Sequence, residues 1–221
     1  MADKFPQLVQ QIHAAGHEIG SHSYWHRLVY QLTPAEFRED LRRSLDALQQ
    51  ITGEQVRLYR APSFSITKDS LWALELLAAD PEVDATRLGC VGLSYGGRMS
   101  MLASAVSDRI RVAVCSGALN VMQERVRGRY SCGAQVIPGL LQYGDVPEIG
   151  SLIAPRPCLW EVGNKDGLMV QPWAGRAYER MQRAWAALGA ADLLQIDRFE
   201  GAHRWNGEKA FPLLDQVLRP A

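Results

Sequence analysis

Ser94 lies in the run Val91-Gly92-Leu93-Ser94-Tyr95-Gly96-Gly97, a Gly-x-Ser-x-Gly pattern with an apolar segment before it and a helical pattern after it. A serine hydroxyl is a poor nucleophile unless the chain holds it on a tight strand-to-helix turn, and such a turn needs small residues where the two backbones crowd. Gly92 and Gly96 supply that room. At the start of a helix the serine would also feel the positive end of the dipole, with the Tyr95 N–H directed to where an oxyanion would form. A base oriented by an acid must follow, in the chain order Ser, Asp or Glu, His. Two later segments fit this order. The apolar run 157–163 breaks into Asn164-Lys165-Asp166-Gly167, and the run 194–199 breaks into Glu200-Gly201-Ala202-His203. Taken singly, Asp166 reads equally well as a turn-forming aspartate and His203 as a surface histidine beside Arg204. Their joint placement just beyond strand ends, where open parallel sheets collect reacting groups, favours Ser94, Asp166 and His203 as one constellation.

A second set of residues suggests different chemistry. His22 and His26 stand four apart after the segment His17-Glu18-Ile19-Gly20-Ser21, and two imidazoles at that spacing can bind one divalent metal. The alternative is that they are histidines left in a structural βα unit.

Strand-like and helix-like segments alternate along the whole chain, which predicts an α/β fold: a mostly parallel sheet of about six strands with helices on both faces. The strands are expected at residues 17–21, 56–60, 87–93, 112–115, 157–162 and 194–199. Thr33-Pro34-Ala35-Glu36 is a capping box with proline at the first helical position. Phe37, Leu41, Leu45 and Leu48 follow at helical spacing, and Gly53 ends the helix. Further helices are expected after Thr67 (Leu71, Leu74 and Ala78 on one face), from Gly96-Gly97, and over residues 173–188 and 208–218. Residues 120–153 have weak periodicity and seven glycines and prolines among apolar residues. They read equally as a substrate-binding excursion or as a surface loop.

The 221 residues are 47% hydrophobic and 22% charged, with 24 basic residues balancing 24 acidic ones. This is globular composition, with no excess positive field to hold nucleic acid or an anionic membrane. A small-molecule or carbohydrate ester is the expected partner. The four cysteines form no CxxC pair and sit mostly in apolar runs, as reduced core thiols of a cytoplasmic protein would. No apolar leader and no membrane span is expected. An exposed sheet edge would invite pairing with a second copy as a homodimer.

The stretches GLSYGG, APRPCLWEVGNKDG and FEGAHRW, at Gly92, Ala154 and Phe199 onward, resemble the nucleophile, acid and histidine segments of the α/β-hydrolase superfamily. The similarity is to its dienelactone hydrolase and acetyl xylan esterase-like branch and covers residues 80–221. It implies carboxylic ester hydrolysis through an acyl-serine intermediate, without a cofactor. Residues 1–79 are different. His17 to His26, and Tyr59-Arg60-Ala61-Pro62-Ser63-Phe64, resemble two motifs of the polysaccharide deacetylase (NodB-like) family. That resemblance implies a divalent metal on His22 and His26, and also an aspartate from a preceding Asp-Asp motif and later aspartate and histidine motifs, none of which the sequence carries. The chain therefore reads as composite and as a truncated hydrolase, because the strands that normally precede the serine strand are replaced. The two N-terminal βα units are expected to pair with the four hydrolase strands, bringing residues 21–25 toward Ser94. The competing functions are a metal-dependent deacetylase of N-acetylated sugars and a composite remnant without catalysis.

Overall fold

The computed structural model describes residues 2–65, 72–79, 84–122 and 139–219. The chain divides into two compact units, Met1–Ala85 and Thr86–Ala221.

In the first unit, α1 (Pro6–Ala14) is followed by α2 (Pro34–Thr52) and, later, α3 (Trp72–Ala79). The capping box forms as the sequence predicts: the Glu36 N–H donates to Thr33 Oγ1, and the Thr33 N–H donates to Glu36 Oε2. The Thr33 N–H and hydroxyl, both donating to Glu36 Oε2 at 2.8 Å, and then the Arg27 guanidinium, hold the Glu36 carboxyl down to about 2. Gly53 closes α2 with φ +74°, a left-handed conformation suited to glycine. Phe37 and Leu41 pack with Val29, Leu32 and Ala73, and the rings of Tyr59 and Trp72 stand edge-on to Phe37 at 5.5 and 5.6 Å. Of the helix expected after Thr67, the part before Trp72 lies outside the described residues.

The second unit is a parallel sheet with helices on both faces. β1 (Leu88–Leu93), α4 (Tyr95–Val106), β2 (Ile110–Ser116), α5 (Val146–Ser151), β3 (Cys158–Gly163), α6 (Gln171–Ala187), β4 (Leu194–Phe199) and α7 (Ala210–Leu218) follow in order. The strands lie side by side as β1-β2-β3-β4. Alternation along β2 explains the layering. Ala113 and Cys115 face a core with Met101 of α4 and with Met181 and Trp185 of α6, whereas Val112 and Val114 pack on Leu213 of α7.

The described sheet therefore has four strands, not six. Residues 17–21 and 56–60 meet only in one isolated parallel bridge, Ser21 with Tyr59, flanked by Ser21 N–H to Leu58 O (2.7 Å) and Arg60 N–H to Ser21 O (2.8 Å). Neither segment has an apolar face long enough to drive a ladder: Glu18 and Gly20 interrupt the first, and Leu58 of the second is 48% exposed. The excursion expected over residues 120–153 is partly regular. α5 is capped by Asp145 and Glu148 in a second capping box, while residues 123–138 lie outside the described set. Six residues containing a proline and a glycine are too few to show a helical period.

Arg156 ties the helical layer to the sheet. Its guanidinium donates to the carbonyls of Ser104 (2.6 Å), Ser107 (2.8 Å) and Ile110 (2.8 Å), which satisfies the end of α4 and the turn into β2. Arg156→Ala should lower unfolding free energy by about 2–3 kcal/mol, the range for losing charged hydrogen bonds to part-buried carbonyls. Urea denaturation checks this; a change under about 0.5 kcal/mol, the size of an ordinary surface substitution, would refute it. Among the described residues no helix is long and apolar enough to cross a membrane.

Candidate active site

Ser94 sits between β1 and α4 with φ 61° and ψ −117°, a conformation that non-glycine residues rarely adopt. The turn is held from both sides: the Ser94 N–H donates to Ser116 O at 2.8 Å, and the Arg98 N–H donates to Ser94 O at 3.1 Å. Crowding here is severe. A Cβ on Gly92 would lie 2.3 Å from the Gly96 carbonyl carbon and oxygen, and one on Gly97 would lie 2.5 Å from Ser116 O. Gly92 and Gly96 thus approach each other as the motif requires, and Gly97 is needed for a further contact with β2. Tyr95 opens α4 and presents its backbone N–H at the positive end of a 12-residue helix.

Asp166 follows β3 in a turn closed by its own N–H to Gly163 O (3.2 Å) and by the Met169 N–H to Asp166 O (3.1 Å). Its side chain is buried. Oδ1 accepts from the Leu168 N–H at 2.8 Å, and Oδ2 accepts from His203 Nδ1 at 2.6 Å. His203 therefore has its Nδ1 proton fixed on a carboxylate, and the lone pair lies on Nε2. That nitrogen is buried and has no hydrogen-bond partner among the described residues. Such a nitrogen is prepared to accept a proton from a group brought against it.

The loop bearing His203 is stitched to the loop bearing Asp166. The Asn164 N–H donates to Phe199 O and the Lys165 N–H to Gly201 O, both at 2.9 Å, while the Gly201 N–H returns to Asn164 Oδ1 at 3.1 Å. Lys165 pairs with Glu200, and together with Asn164 it holds the Glu200 carboxyl below its ordinary range. Gly163 has no room for a side chain, since a Cβ would stand 2.5 Å from Gly201 O.

Ser94 and His203 meet the same short segment at the end of β2. Ser116 accepts the Ser94 N–H, and the next residue, Gly117 (φ +57°), backs the imidazole. A Cβ there would lie 2.8 Å from His203 Cε1 and 3.1 Å from Leu93 Cδ1. The structure thus brings Ser94, Asp166 and His203 to one rim, with the Asp166–His203 bond formed directly. Sequence reasoning missed Ser116 and Gly117. Their signal was slight: a Ser-Gly pair ending an apolar strand. It also passed over Glu161, a charged residue inside the run Cys158-Leu159-Trp160-Glu161-Val162-Gly163.

In the first unit His22 and His26 do come together, edge to face with centroids 5.0 Å apart. His22 Nδ1 donates to Arg60 O at 2.7 Å, which leaves Nε2 as the nitrogen able to ligate. Buried Asp40 holds the intervening loop through the N–H groups of Tyr24 (3.0 Å) and Trp25 (3.1 Å). Among the described residues, however, no group of three or more His, Cys, Asp or Glu could hold a metal ion. The donor set is short of a carboxylate and does not fit a closed metal site.

Comparison with known proteins finds a likeness of each kind. Residues 1–80 match the family model for polysaccharide deacetylase. The peptidoglycan-N-acetylglucosamine deacetylase of Bacillus cereus is 32% identical over 75 residues, which are 34% of this chain and 27% of that protein. A Bacillus subtilis (strain 168) protein named "Putative hydrolase YtaP" is 33% identical over 138 residues, 61% of this chain and 46% of that one. Among solved structures, the glucuronoyl esterase catalytic domain from Hypocrea jecorina superposes with a TM-score of 0.54 at 21% identity, over 68% of this chain and 51% of that one. The chain spans less than half the length of the curated relatives it matches. It is composite: polysaccharide-deacetylase-like in sequence over residues 1–80, and an α/β-hydrolase fold in the unit that carries Ser94.

Proposed function

We propose that this protein hydrolyses a carboxylic ester of a small molecule or carbohydrate through an acyl-serine intermediate. Ser94 Oγ attacks the ester carbonyl carbon while His203 Nε2 takes its proton. Asp166 keeps the imidazole oriented and stabilises the imidazolium, and the Tyr95 N–H donates to the carbonyl oxygen as it becomes an oxyanion. The alcohol leaves with the proton returned by His203. A water then attacks the acyl carbon as the same nitrogen takes its proton, and His203 returns that proton to the departing Ser94 oxygen as the acid is released.

The observation that carries this reading is the 2.6 Å Asp166–His203 bond, with a buried Nε2 that has no partner among the described residues, on the rim that also holds the strained Ser94 turn. The fold shared with the Hypocrea jecorina esterase supports it. A fluorophosphonate reacts quickly only with an activated serine. We expect one phosphonate per chain, found on Ser94 by peptide mass spectrometry; an unmodified Ser94 after prolonged exposure would remove the serine mechanism. The deacetylase reading is supported by the match of residues 1–80 and the paired imidazoles, but no metal-dependent step is assigned to an incomplete donor set. A cytoplasmic location agrees with free Cys90, Cys115 and Cys158; burial pushes the Cys90 and Cys115 thiols up and keeps them protonated.

A further inference from the structure

Every residue of β3 is buried, and one of them is a carboxylate: Glu161 is fully excluded from solvent. A carboxylate so placed persists only where its oxygens are satisfied. Glu161 spends both on the loop that has just delivered His203. Oε2 accepts from the Asn206 N–H at 3.2 Å, and Oε1 accepts from the Gly207 N–H at 2.8 Å.

Asn206 is tied a second time, its Nδ2 donating at 2.8 Å to Oδ2 of Asp197. Asp197 is also buried and stands directly opposite Glu161 in the β3–β4 register, with Lys209 Nζ 3.8 Å from its other oxygen. Gly207 is left-handed at φ +81°, and a Cβ there would lie 2.6 Å from the Phe211 ring and 2.9 Å from Trp205 Nε1. The descending limb of the loop therefore has little freedom to slide. Its ascending limb is held by the Asp166 turn, so His203 is gripped from both sides.

We propose that Glu161 is a positioning residue for His203: through Asn206 and Gly207 it fixes the descending limb of the 200–207 loop and so aims the imidazole between Asp166 and Gly117. The proposal rests on His203 acting as the general base. Two buried carboxylates on facing strands repel each other, and a purely apolar pair would serve the sheet at least as well. What an apolar pair could not do is accept the loop's N–H groups.

The test uses the full chain and measures the wild-type rate of phosphonate labelling at Ser94 first. Glu161→Gln preserves volume but turns one acceptor into a donor facing an N–H; Asn206→Ala removes only the link to Asp197. With far-UV circular dichroism unchanged, labelling should slow by about 100-fold for Glu161→Gln and about 10-fold for Asn206→Ala, the scale expected for small misplacement of a reacting group. For p-nitrophenyl acetate, kcat should fall while KM holds. The low-field proton resonance of His203 Nδ1–H should move upfield or broaden. A folded Glu161→Gln with wild-type labelling and an unmoved resonance overturns the proposal, as does a rate loss matched only by loss of folded protein. Should Glu161→Gln fail to fold, Asn206→Ala decides by the same readings. If the wild type is not labelled at all, the esterase reading fails separately, and the His203 resonance still reports whether Glu161 positions the ring.

Discussion

Ser94→Ala is expected to lower turnover of p-nitrophenyl acetate by a factor of about 10⁶, the scale seen when a serine nucleophile is deleted from a triad that works as a unit. The reasoning is specific to this turn. Nothing else on the described rim offers a nucleophilic oxygen held on a strained strand-to-helix junction, with an imidazole oriented by a carboxylate on the same rim. Alanine keeps the same positive-φ requirement and the same backbone bonds to Ser116 and Arg98, so the elbow itself should survive. The melting temperature should stay within a few degrees while phosphonate incorporation disappears. Retention of more than a tenth of the activity would show that hydrolysis occurs elsewhere.

Asp166→Asn should cost about 10⁴-fold in kcat with little change in KM. The substitution is nearly isosteric, but the atom facing His203 Nδ1 can then be an amide donor. The imidazole either loses its partner or adopts the other tautomer, which puts a proton on Nε2 where the lone pair is needed. The Leu168 N–H still finds an acceptor in the amide oxygen, so the turn should persist. Stopped-assay kinetics and phosphonate inactivation rates, run in parallel, give the result. A loss smaller than about 10-fold in both would mean that Asp166 does not orient the base.

Much of this site was legible because its parts are local. The apolar run ending in Gly-x-Ser-x-Gly, the Asp-Gly turn after residues 158–163, and the glycine-containing loop before His203 each report their own backbone. The four described strands then lie side by side in sequence order, each parallel to the next. The missed residues act across the sheet. Gly117 is required by an imidazole 86 positions later, and Glu161 by two backbone N–H groups about 45 positions later. No window of sequence around either contains its partner. The N-terminal strands failed because their apolar patterns are short and interrupted, by Glu18 and Gly20 in the first, and they yield only the Ser21–Tyr59 bridge.

The imidazole of His203 rests against Gly117, although His203 departs from β4 and Gly117 from β2. With strands about 4.8 Å apart, the ring reaches back roughly 10 Å across the mouth of β3, like the jib of a crane whose mast stands two rows behind its load. A one-residue change in the length of that jib would break its bonds to Glu161 and Asn164 while leaving the β3–β4 pairing in place. Tuning how hard the proposed base would pull on its serine therefore takes paired changes, in residues 200–207 and in the β3 groups that hold them.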